Sequence, residues 1–222
     1  DMEIIKEHTD HVVGTRDGGD SWEILTNWRI TEAKDIVVNP HNPDQVIAAL
    51  PDGVAVSDDR GQSWEYRDQG IQRKYVQTLV VDRAQAGHLL AGTEKGIYLS
   101  TDGAQQWRLV LPAAATVNDI QQSPHDAAVF AAATQADGAW ISHDGGSSWE
   151  RLEGVTNEKT LHRIVFDPHD AERLVIGGWG TSVLVSKDSG RNWSRRGQGL
   201  PSANIWTVSM DPDIPGRIYA NP

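Results

Sequence analysis

Polar and apolar positions alternate along the chain in runs of only four to six residues, each closed by a turn signal. Residues 118–122, 128–132 and 139–142 are three such runs, and a shorter one follows at 150–152. Runs of this length bounded by Pro, Asp, Asn and Gly read as β-strands. No stretch keeps a 3.6-residue apolar period, so almost no helix is expected. Ser123-Pro124-His125-Asp126 is the first turn of this unit, and Asp137-Gly138 the second. The other units turn at Asn39-Pro40, Asp82-Arg83-Ala84, Asp167-Pro168 and Asp211-Pro212. Their second strands are expected at 45–50, 88–93, 173–177 and 217–220.

One stretch punctuates every unit. Its fullest form is Ser142-His143-Asp144-Gly145-Gly146-Ser147-Ser148-Trp149. The pattern of hydroxyl, any, Asp, any, Gly, any, any, Trp also runs from Thr15 to Trp22, Ser57 to Trp64 and Ser186 to Trp193. A weaker copy from Ser100 to Trp107 has Ala104 in place of Gly. The tryptophans Trp22, Trp64, Trp107, Trp149 and Trp193 are spaced by 42, 43, 42 and 44 residues, a period that marks a repeat architecture. Between two strands the stretch is a hairpin turn. Hydroxyl and Asp side chains can bond turn amides, Gly accepts positive φ, and Trp buries a large ring. Catalytic groups are seldom duplicated in every unit. Asp17, Asp59, Asp102, Asp144 and Asp188, with the five tryptophans, are therefore read as fold staples.

Four antiparallel strands in a unit of about 43 residues is the plan of a propeller blade. The predicted fold is all-β: one β-propeller domain over residues 1–222, with five repeats. The chain opens with the last two strands of a unit, near His11 to Leu25, and closes with the first two, near Trp206 to Ala220. Pairing of residues 217–220 with 11–15 would complete a fifth blade and close the ring. An arc of a larger propeller is the other reading.

The repeated stretch resembles the Asp-box, or BNR repeat, of sialidases, xyloglucan-degrading glycosidases, sortilin-type receptors and photosystem assembly factors. The resemblance covers essentially the whole chain. It implies β-propeller blades with the boxes on the face opposite the usual binding face. The Phe-Arg-Ile-Pro motif of sialidases does not occur, and no arginine triad is assigned. The two-propeller cleft of the xyloglucan-degrading enzymes needs a longer chain.

Composition narrows the partners. A formal net charge of −11 disfavours a nucleic-acid backbone. Cysteine is absent, which excludes disulfides and thiolate metal sites. No apolar run is long enough to span a bilayer. With no signal peptide and Asp1 at its start, the chain reads as a processed or trimmed mature protein, and the resemblance implies a periplasmic or extracellular location.

Candidate chemistry lies where the repeats differ, because positions alike in every repeat mostly serve the fold. Aligning strand one gives an upper ring of Lys34, Gln77, Asn118, His162 and Trp206. Below it lie Asp35, Thr78, Asp119, Arg163 and Thr207, then the apolar Ile36, Leu79, Ile120, Ile164 and Val208. Lys34, Asn118, His162, Arg163, Trp179 and Trp206 are the candidate ligand-binding residues. Trp28, Arg29 and residues 73–75 add aromatic and basic groups to the same face. Asp35 and Asp119 are the only catalytic candidates, since paired carboxylates are the apparatus of glycoside hydrolysis. The favoured function is a non-catalytic binding or assembly propeller for a protein or glycan; the alternative is a glycosidase-like enzyme. No metal or cofactor is expected. Glu7, His8, Asp10 and His11 are close in sequence, but read as an incidental terminal cluster.

Overall fold

The computed structural model describes residues 11–27, 29–72, 74–156 and 158–222, which form strands, turns and loops without helix. Four complete blades follow one another. The first is β3 (Asp35–Val38), β4 (Val46–Leu50), β5 (Gly53–Ser57) and β6 (Glu65–Tyr66). The second is β7 (Val76–Val81), β8 (Leu89–Thr93), β9 (Gly96–Ser100) and β10 (Arg108–Pro112). The third is β11 (Val117–Gln122), β12 (Phe130–Thr134), β13 (Ala139–Ser142) and β14 (Glu150–Arg151). The fourth is β15 (Leu161–Phe166), β16 (Leu174–Gly178), β17 (Ser182–Ser186) and β18 (Ser194–Arg196). Each is an antiparallel sheet in simple sequence order. A two-stranded hairpin stands at either end: β1 (Val13–Gly14) with β2 (Glu23–Ile24), and β19 (Thr207–Met210) with β20 (Ile218–Asn221).

The middle strands explain why the blades stack. β4, β5, β8, β9, β12 and β16 are almost wholly buried on both faces, which is why they read as near-continuous apolar runs. Successive residues point to opposite faces, so one sheet feeds two cores. Ile47, Ala49 and Val56 of the first blade pack with Leu79, Leu89 and Tyr98 of the second. Leu90, Ile97 and Leu99 of the second face Ile120, Phe130 and Ala132 of the third. Apolar burial of this kind is worth about 25 cal/mol per Å². Most of the cohesion therefore lies between blades.

Second strands begin one or two residues later than the alternation predicts. Residues 128–132 are observed as Phe130–Thr134 because the turn runs on, with Asp126 Oδ1 accepting from the Ala128 amide at 2.9 Å. The expected closure is corrected more substantially. Among the described residues β1 pairs only with β2 and β20 only with β19, so the ladder between residues 11–15 and 217–220 does not form. The described residues make an arc of four blades with a half-blade at each end. Covering of the end faces stops there, and Trp22 is 63% exposed.

On the lower face each box is bonded alike. In the fourth, the Ser142 hydroxyl donates to Asp144 Oδ1 at 2.9 Å and accepts from the Gly146 amide at 2.9 Å. Asp144 Oδ1 accepts from the Ser148 amide at 2.8 Å, and Oδ2 from the Ser148 hydroxyl at 2.6 Å. Asp59 makes the same set, and the Ser63 hydroxyl and amide lower its pKa to about 2. The indoles of Trp64 and Trp107 donate to the carbonyls of Leu25 and Arg67, each in the preceding blade, at 2.8 Å. Trp149 and Trp193 donate to Gly146 and Gly190 of their own boxes at 3.0 Å, and Trp64 also reaches Gly61 of its own box at 3.1 Å.

Candidate functional site

Inner strands carry the candidate site. Strand one of each blade starts on the upper face, and in the second, third and fourth blades its register there is broken in the same way. The ladder shifts between Val76 and Thr78, between Val117 and Asp119, and between Leu161 and Arg163. The extra residue is Gln77, Asn118 or His162, each a member of the upper ring. A β-bulge re-aims its side chain, and bulges concentrate beside functional sites. Residue alternation alone does not reveal these shifts, although the period identifies the positions.

The inner strands line a polar cleft of about 610 Å³. Lys34, Asp35, Asn118, Asp119 and Arg163 stand at its upper part, and Pro40, Arg83 and Gln122 at its lower part. The charged groups of the cleft are largely occupied. Asp35 Oδ2 accepts from the Leu79 amide at 2.9 Å and the Thr78 hydroxyl at 3.1 Å, joining the first blade to the second. Asp119 Oδ2 accepts from the Ile164 amide at 3.0 Å, joining the third to the fourth. Its other oxygen accepts from Gln121 Nε2 at 2.8 Å and lies 3.9 Å from the Arg163 guanidinium. Asp119 is only 4% exposed, and burial raises its pKa despite the opposing pull of Arg163. Asn118 Nδ2 donates across to the Leu161 carbonyl at 2.8 Å, and Lys34 Nζ lies 3.6 Å from Glu32.

The remaining candidates form a separate aromatic corner. His162 stacks on Trp206 with centroids 5.1 Å apart and planes inclined by 23°. Trp179 stands at 88° to Trp206, 5.0 Å away, and at 67° to His162, 6.4 Å away. The sequence separates these three residues, but the topology brings them together. His162 comes from the bulge in β15, Trp179 from the turn after β16, and Trp206 from the residue before β19. Gly178 permits the approach, because a Cβ there would lie 2.4 Å from the Thr160 carbonyl oxygen. Trp179 is 48% exposed and Trp206 53%. His162 Nε2 is buried without a hydrogen-bond partner. Burial lowers the His162 pKa by disfavouring the charged imidazolium.

Histidines of the lower face have a structural use. His41 and His125 each donate from Nε2 at 2.8 Å to a carbonyl of the next blade, Asp82 and Asp167 respectively. Glu7, His8, Asp10, Trp28 and Arg73 lie outside the described residues.

Stacked four-stranded sheets along a polar cleft, with one Asp-box per unit, define a repeat protein of the β-propeller class. Residues 137–221 match the family model described as Sortilin, neurotensin receptor 3. No curated protein matches the chain in sequence. Among solved structures, an ancestral GH74 enzyme superposes with a TM-score of 0.73 and 24% identity, covering 85% of this chain and 27% of its own. The extracellular domain of a putative one-component system from B. thetaiotaomicron gives 0.75 and 12%, covering 96% and 29%. YCF48 bound to D1 peptide gives 0.54 and 17%, covering 89% and 79%. These likenesses establish the fold. The chain spans under a third of the first two proteins. Among the described residues no helix is long and apolar enough to cross a membrane.

Proposed function

We propose that the chain is a non-catalytic binding propeller that presents its upper face to a protein or glycan. The aromatic corner carries this reading. Two half-exposed indoles stand beside a buried imidazole nitrogen with no partner. Unpaired buried polar atoms are uncommon and call for an explanation. A ligand that covers the rings and bonds His162 Nε2 would supply one. Trp rings are also favoured anchors of protein interfaces. One structural neighbour, YCF48, is seen with a bound peptide, which is a precedent for the protein arm of the proposal. A periplasmic or extracellular setting suits either arm, and the extracellular neighbour is consistent with it. The reading requires no cofactor.

The glycosidase alternative rests on Asp35 and Asp119. Both oxygens of Asp119 are engaged, and the group is buried. That weighs against a carboxyl free to protonate or attack a sugar.

A glycan array and calorimetry with peptides from captured partners test the proposal on wild type, Trp206→Ala and Trp179→Ala. A genuine ligand should bind each variant at least about tenfold more weakly, the scale of an interface anchor. Ligands whose affinity is unchanged in both variants would move the function away from this corner. Glycan hydrolysis that disappears in Asp119→Asn would replace the binding reading with the enzymatic one.

A further inference from the structure

We propose that the upper part of the cleft binds a uronate, a hydroxylated sugar ring carrying one carboxylate, with Arg163 as the clamp on that carboxylate. The two acidic groups at this level are spent on the protein itself. Asp35 accepts from the Ile36 and Leu79 amides and from the Thr78 hydroxyl. Asp119 accepts from the Ile164 amide and from Gln121. The donors beside them are not spent. Arg163 presents a planar fork of N–H groups on a side chain that is 46% exposed. Asp119 Oδ1 lies 3.9 Å from it, beyond hydrogen-bond reach, and no described residue hydrogen-bonds the guanidinium. Gln77 is turned out of the ladder by the bulge in β7, and among the described residues its side chain has no hydrogen bond either. Gln77, Asn118 and Arg163 stand on the inner strands of the second, third and fourth blades, so the site is built within the arc and not at its ends. His162 turns the other way, to Trp206, so this site is separate from the aromatic corner and does not rest on it.

The unspent groups decide the class of ligand. A guanidinium engages a carboxylate or a phosphate through paired hydrogen bonds. Asp35 and Asp119 line the same cleft, so a doubly charged phosphate would face two like charges, whereas a single carboxylate is balanced by Arg163. The rest of the ligand is polar. In the four complete blades the upper two layers of strand-one residues, from Lys34 and Asp35 to His162 and Arg163, contain no aliphatic side chain. An apolar peptide side chain finds nothing to pack against there. Ring hydroxyls find the Gln77 amide and the Asn118 carbonyl oxygen, the Asn118 Nδ2 being already given to Leu161. The cleft, at about 610 Å³, is within the size range of small-ligand sites. The chain as a whole carries a formal net charge of −11, so attraction of an anion is local to Arg163 and should weaken with salt. The same chemistry is offered by a free sugar acid or by one residue of an acidic polysaccharide.

Calorimetry at low ionic strength tests the site on the whole chain, with D-galacturonate, tri-galacturonate, D-galactose and inorganic phosphate as probes. Galacturonate should bind at least about tenfold more tightly than galactose or phosphate. Arg163→Gln should weaken galacturonate binding at least about tenfold, as expected for loss of a charge-assisted pair. Gln77→Ala, on another blade, should weaken it by a smaller factor, and it decides the matter if Arg163→Gln does not fold. Tri-galacturonate bound far more tightly than the monomer would support an acidic glycan as the source, and equal affinity per uronate would support the free sugar acid. Trp206→Ala should leave galacturonate binding unchanged; loss of binding there would move the uronate to the aromatic corner and overturn the cleft site. No binding of either uronate probe, equal affinity for galactose, or tighter binding of phosphate would also overturn the proposal. So would wild-type affinity in both Arg163→Gln and Gln77→Ala.

Discussion

The lower and upper faces are built from the same repeats by opposite rules. On the lower face one set of bonds recurs: a hydroxyl donates to Asp, the Asp accepts from the amide four residues after it, and a small residue stands at positive φ. On the upper face the equivalent positions are Lys34, Gln77, Asn118, His162 and Trp206, with no residue type used twice. Repetition below fixes the backbone five times over. That leaves the ring above free to vary, and its bulges turn the varied side chains out of the ladder. Carboxylates show the difference sharply. Asp144 of the fourth box is exposed and has both oxygens bonded within its own turn, whereas Asp119 is buried and bonds the next blade.

Removing Asp119 should have the largest effect on this contrast. Asp119→Ala leaves the Ile164 amide unpaired and Arg163 without its counter-ion. It should cost about 2–3 kcal/mol in urea unfolding, the scale of a buried unsatisfied group. Asp119→Asn keeps an acceptor and should cost less. The pH dependence has a definite sign. Because the folded carboxyl has a raised pKa, its contribution is complete below the ordinary value of 3.8 and declines as pH rises through the folded value. Asp119→Asn should lack that decline. A wild-type and variant pair with the same pH profile would show that Asp119 does not titrate with folding.

A box aspartate should matter less, and its pH dependence should have the opposite sign. Asp144→Ala frees the Ser148 amide and hydroxyl, but water reaches both, so the loss should be about 1 kcal/mol. Binding at the aromatic corner should be unchanged, and abolished binding at constant melting temperature would contradict the separation of faces. For Asp59, whose folded pKa is about 2, the contribution is present above 3.8 and lost as pH falls toward 2. Box and buried aspartates thus tilt the stability profile in opposite senses.

Much of this was legible in the sequence. The 42–44-residue spacing and the box identified the blades, and alignment placed Asp35, Asp119, His162 and Trp206 on the inner strands at one end. Three things were not legible. A bulge shifts a ladder by one residue without altering residue alternation, so the re-aiming of His162 was hidden. Trp179 and Trp206 are 27 positions apart, and their contact depends on how the fourth blade meets the next hairpin. Closure failed as an inference because complementary half-blades say what could pair, while the arc decides whether they meet.

The smallest predicted effect concerns the one irregular box. Ala104 holds φ at +72°, where the other full copies use Gly. The neighbour helps to explain why this box accepts a methyl group where those of Gly61 and Gly190 do not. A Cβ on Gly61 would lie 3.0 Å from Leu25, and one on Gly190 would lie 2.6 Å from Leu152. Those leucines stand three residues after the box Trp of the preceding unit. In the unit before Ala104 that position is Arg67, whose guanidinium turns to Asp58 and Glu65. The space is therefore open, and the Ala104 methyl is fully buried in it. Ala104→Gly relieves a left-handed conformation that costs an L-residue about 1–2 kcal/mol. It also removes a buried carbon worth about 0.8 kcal/mol, and it adds about 0.4–1 kcal/mol of unfolded-state freedom. These effects nearly cancel, so the unfolding free energy from urea titration should change by no more than about 0.8 kcal/mol in either direction. A gain well above 1 kcal/mol would mean that the methyl packs poorly and the box is simply strained. A loss of 2 kcal/mol or more would mean that Ala104 has become a core residue of its own, and that even the repeated face is free to specialise.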